Sequence, residues 1–91
     1  MNNISKAMKV VELVGGEEAT HALPVEKVAV YSTLLANAGE NVDEQLCAAF
    51  FIRKDLMPAT ANDDVTAFYA DVKVAFDDID HEAPAPVGVD A

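Results

Sequence analysis

Residues 65–79 read Val65-Thr66-Ala67-Phe68-Tyr69-Ala70-Asp71-Val72-Lys73-Val74-Ala75-Phe76-Asp77-Asp78-Ile79, and this stretch decides the fold class. Val65, Phe68, Tyr69, Val72, Phe76 and Ile79 recur at steps of three and four residues. At about 100° per residue they fall within an arc of roughly 100°, as expected of a helix with one face against a core. Thr60 or Asn62 is placed to cap this helix, and Asp63 and Asp64 suit the positive end of its dipole.

Upstream, Asn41 followed three residues later by Glu44 predicts a capping box. The helix it opens carries the almost unbroken apolar run Leu46 to Ile52, and Arg53 and Lys54 suit its negative end before Pro58 closes it. Such a run implies either the central helix of a bundle or a second face that covers a partner. Cys47 lies inside it and is expected to be a buried structural thiol.

Another helix is predicted between Pro24 and Gly39, residues suited to its first turn and to the position just past its end. Val25, Val28, Ala29, Leu35 and Ala36 share one face, and Val30, Tyr31 and Leu34 widen it, so burial on more than one side is expected. Gly15 to Leu23 reads as a loop. From about Asn3 to Val14, the residues Ile4, Ala7, Met8, Val11 and Val14 have helical spacing. Lys9 to Val14 is β-branched enough for a strand, which leaves residues 8–14 open between helix, the preferred reading, and strand. The expected architecture is all-α: a single domain over residues 1–82, built as a small bundle of three to four helices. Residues 83–91, with Pro84 and Pro86, are expected to form an extended C-terminal tail.

Charge sets the limits on function. Six Lys and Arg stand against sixteen Asp and Glu, a net charge of -10 in 91 residues. Such a surface repels phosphate backbones and anionic lipid, which argues against direct nucleic-acid binding and against a membrane partner. It could steer the protein toward a basic one. The N-terminal residues lack a signal-peptide pattern, so a cytoplasmic location is expected. The lone Cys47 excludes an internal disulfide framework.

No motif for catalysis stands out. Gly15-Gly16 lacks the further glycines, lysine and hydroxyl of a phosphate-binding loop. His21 and His81 have no metal-ligand partner at helical spacing and read as solvated surface residues. Asp78-Ile79-Asp80-His81-Glu82 imitates a calcium loop for five residues, but the turn glycine and terminal glutamate are missing. No catalytic residue, cofactor or metal is expected, and the chain is not read as an enzyme.

Two functional readings follow. The apolar surplus of the second and third predicted helices points to a small acidic protein-interaction or assembly module that self-associates as a homo-oligomer, with Tyr31, Leu34 and Phe51 as interface candidates. The alternative is an acidic inhibitor or nucleic-acid mimic that binds the basic groove of a DNA- or RNA-handling protein. It rests on the eight acids and one base between Asn62 and Ala91, with Asp64, Asp71, Asp77, Asp78, Asp80 and Glu82 as the binding patch.

Overall fold

The computed structural model describes residues 2–82, and every regular element among them is helical. The helices are α1 (Asn2–Gly15), α2 (Glu17–Ala22), α3 (Val25–Ala38), α4 (Val42–Leu56) and α5 (Val65–Glu82), with one 3₁₀ turn at Pro58–Thr60. The extended tail expected over residues 83–91 lies outside the described residues.

The first helix holds the centre. Helix α1 packs against α2, α3, α4 and α5, whereas the backbones of α3 and α5 are not neighbours among the described residues. Ala7, Val10 and Val11 are completely buried, so the β-branched stretch that could have been a strand is helix. Of the two readings of the apolar run in α4, the central helix of the bundle is not the one found, because α1 takes that place. Around α1 the core is completed by Tyr31 and Leu35 from α3, Ala48, Ala49 and Ile52 from α4, and Phe68, Val72 and Phe76 from α5.

The segment expected to be a loop contains α2, which brings the count to five helices. Glu17 and Glu18 occupy its first turn and His21 its last, both favourable to the dipole. The corner before it needs both glycines, for different reasons. Gly16 has φ +83°, a left-handed conformation that costs any other L-residue. A Cβ on Gly15 would lie 2.7 Å from the Ala19 Cβ, so only glycine lets α2 fold this tightly onto the end of α1.

Helix α3 is buried on one side only, through Tyr31, Leu35 and Ala38, with Val28 and Leu34 half-buried. Val25 and Val30 remain 81% and 47% exposed, and Ala29 and Ala36 are exposed too, so burial on more than one side is not found. Pro24 stands just before the helix and Gly39, at φ +59°, ends it. The nearly buried Gln45 side chain donates to the Gly39 carbonyl at 2.6 Å and closes the α3–α4 corner.

At the start of α4 the Asn41 side chain accepts from the Glu44 N–H at 3.0 Å. The Asn41 N–H donates to the Ala38 carbonyl, so the reciprocal half of the predicted capping box is replaced by a backbone bond. The start of α5 also differs from expectation. Asp63 and Asp64 precede the helix, and Asp64 adopts φ +48°, a left-handed turn that aspartate tolerates better than most residues. Arg53 organises this connection, donating to the Thr60 and Asp63 carbonyls with its guanidinium 4.7 Å above the Phe68 ring.

The stripe of α5 faces the core as its spacing predicts. Phe68, Val72 and Phe76 are buried, while Val65, Tyr69 and Ile79 are partly covered at its edges. Phe76→Ala should therefore cost about 3–5 kcal/mol, a large part of the stability of a domain this size. Val74, 63% exposed two residues away, should tolerate alanine within about 0.5 kcal/mol. Urea unfolding of the two variants checks both numbers.

Candidate functional site

Among the described residues, no cluster of three or more histidine, cysteine or acidic side chains could hold a metal ion. None of the described helices is long and apolar enough to cross a membrane. A groove of about 550 Å³ runs between α1, α2 and α5 and brings Ser5, Lys9, Glu12, His21 and Asp78 to one surface. Among the described residues no hydrogen bond joins Ser5 to His21. The histidine instead faces Glu17 at 3.8 Å, and Lys9 pairs with Glu12 at 3.1 Å. His21 and His81 are both exposed, as their sequence contexts predict. The His81 pKa is raised, first by its hydrogen-bonding contact with the Asp77 carbonyl and then by the Asp77 carboxylate.

Five of the acids expected to form a patch border three grooves. Asp64 and Asp71 border a groove with Leu13 and Arg53, at the junction of α1, α4 and α5. Asp78 borders the α1–α2 side, and Asp77 and Asp80 border a groove with Val42 and Leu46 of α4. Glu82 ends α5. One of these acids is also part of the structural framework. Asp80 accepts from Lys6 at 3.0 Å, and the Lys6 side chain is only 7% exposed. The same ammonium lies 5.3 Å from the Phe76 ring centroid. A charge taken so far out of water needs its partner.

The apolar interface candidates divide as well. Tyr31 is completely buried and is removed from the surface. Its hydroxyl donates to Asp55, which also accepts from Lys27 at 2.8 Å, tying α3 to α4. Leu34 and Phe51 do reach the outside. Phe51 is 50% exposed and stands beside an open groove of about 300 Å³ lined by Leu34, Asn37, Ala38, Glu44 and Cys47. Cys47, expected to be buried, is exposed in this groove. The reason is rotational: Gln45, Ala48, Ala49 and Ile52 take the inner face of α4, and Cys47 falls on the opposite side. Val30, half-exposed, lies one helical turn before Leu34 on α3.

This strip lies away from the most acidic part of the chain, residues 58–91, which carry a net charge of -7. Residues 24–57 contain five acids and three bases, a net charge of -2; the other 57 residues carry the remaining -8. The face between α3 and α4 is therefore apolar at its middle and weakly charged at its margins, and its supporting helices are cross-linked at both ends. Near one end stands the Lys27–Asp55–Tyr31 cluster, and near the other the Gln45–Gly39 bond.

Two predictions follow from the ionic contacts. Asp80→Asn should cost about 1–2 kcal/mol by leaving the Lys6 ammonium buried without a counter-charge, whereas Asp71→Asn and Asp78→Asn should stay within about 0.5 kcal/mol. Chemical denaturation distinguishes them. The second concerns pH. The Asp55 carboxyl is held below its ordinary 3.8 by hydrogen bonds from Lys27 and then Tyr31, so it stabilises the fold above that pH and loses its contribution as pH falls. The Tyr31 phenol is pushed above its ordinary 10.0 by burial and then by Asp55, so its contribution is full below pH 10.0 and declines above it. Thermal melts from about pH 2 to pH 11 should show the acid-side loss reduced in Asp55→Asn and the alkaline loss reduced in Tyr31→Phe.

No protein-family model matches this chain, and neither a curated protein nor a solved structure is detectably similar to it.

Proposed function

We propose that this protein is an interaction or assembly module that works through the α3–α4 face and associates with itself. The observation that carries the reading is the open groove lined by Leu34 and Phe51, with Val30 exposed one helical turn before Leu34, on a segment that carries only -2 of the net charge. Exposed apolar side chains gathered at one place mark an interaction surface more often than scattered ones do. A phenylalanine half in water beside a groove is a natural anchor for a partner. The single thiol, exposed and without a second cysteine in the chain, fits a reducing compartment such as the cytosol.

A nucleic-acid mimic would need its carboxylates on one face, and the five acids of the expected patch whose surroundings are described border three different grooves. The interaction module is therefore the reading adopted.

Sedimentation velocity across a hundredfold concentration range tests it. The wild-type chain should gain mass with concentration and respond only weakly to salt, because the contact is led by apolar burial rather than by charge. Phe51→Glu should remain monomeric with an unchanged helical spectrum, and its melting temperature should match the wild type only at concentrations too low for association. A wild-type chain that stays monomeric throughout would refute self-association.

A further inference from the structure

The outer ridge of α4 has an order that suits one particular partner. Glu44, Cys47, Phe51 and Lys54 follow at steps of three, four and three residues, and all four are exposed. They fall within an arc of roughly 80° and span about 15 Å of helix axis. The spacing is the same read in either direction, and the two ends carry opposite charges. Neither Glu44 nor Lys54 has an ion-pair partner among the described residues, whereas Lys6, Lys9 and Lys27 are all paired.

From this juxtaposition, and resting on the self-association proposed above, we infer that the occupant of the α3–α4 face is a second copy of this chain, docked with its α4 antiparallel across a two-fold axis that meets the outer face of α4. The axis crosses the ridge midway between Cys47 and Phe51, on the side of the helix opposite the buried Ala49. An antiparallel copy centred there brings Glu44 opposite Lys54 of the second copy, and Cys47 opposite Phe51 of the second copy. Both pairs occur twice by symmetry, as an isologous interface requires.

Shape and charge support the same arrangement. The groove beside Phe51 is lined by Cys47 and Leu34, so each copy offers both the projecting ring and the groove that receives it. The ion pairs then lie at the rim, where they set register and orientation more than affinity. Elsewhere the two copies are strongly acidic. Meeting through residues 24–57 keeps most of that like charge apart. A parallel alignment would place Glu44 against its own copy and Lys54 against its own copy, opposing the approach at both ends.

Charge reversal tests this without depending on the stability of any single variant. Glu44→Lys and Lys54→Glu, each alone, place like charges at both rim contacts and should weaken dimerisation about 10- to 50-fold. An equimolar mixture of the two variants restores both attractions between unlike chains and should recover dimer at wild-type concentrations. Sedimentation of each variant and of the mixture reads this directly, and helical spectra confirm that all are folded. Alkylation of Cys47 gives a second readout: it should slow in the wild type and in the mixture as concentration rises, and stay fast in each variant alone. Variants that dimerise as well as wild type, or a mixture that fails to recover, would overturn this pairing while leaving self-association standing. A wild-type chain monomeric at every concentration would overturn both.

Discussion

The burial of α1 is the constraint on which the rest of the structure depends. Ala7, Val10 and Val11 have no solvent exposure, and no other helix touches all four of its companions. Fully burying a valine side chain contributes about 1.5–3 kcal/mol, but only if neighbours close on it without voids. Short side chains on α1 mean that α3, α4 and α5 must approach closely. The alanines at 48, 49 and 75 permit that approach, and the larger rings come from the outer helices as Tyr31, Phe68 and Phe76. Lys6 marks the edge of this packing. Its side chain is drawn into the core region and its charge is answered by Asp80 at the far end of the chain.

The parts of this architecture legible in the sequence are those written as long periodic patterns. The α5 stripe and the Asn41 cap could be read residue by residue because spacing and capping are local. Helix α2 could not: six residues are too few for an apolar period, and its position depends on the Gly15–Ala19 approach. The left-handed Asp64 likewise moved the start of α5 past the two aspartates assigned to its first turn. An apolar count does not tell inner from outer face, which is why Cys47 was expected inside and Tyr31 outside. The acids of α5 mislead for a related reason. Neighbours along a helix turn to different sides, so Asp78 borders one groove while Asp77 and Asp80 border another.

At the candidate surface, the distinguishing property is the rigidity of the support beneath an apolar strip. Helices α3 and α4 are joined by a close turn at one end and by a charged cluster near the other, with Leu35, Ala38 and Ile52 packed beneath them. A surface already held in place loses little conformational freedom when something docks on it. The same cluster ties the surface to the protonation of Asp55 and Tyr31, although neither group lies in the strip itself.

The central position of the first helix has a consequence for synthesis. A ribosome adds about 5–20 residues per second, so α1 is made roughly 4–15 seconds before the last turn of α5 that carries its counter-charge. Throughout that interval the face of α1 that carries Ala7, Val10 and Val11 has only partial cover, first from α2 and then from the α3–α4 pair. The nascent chain thus carries its greatest exposure to misassociation early, and completion of the final helix is the step that ends it.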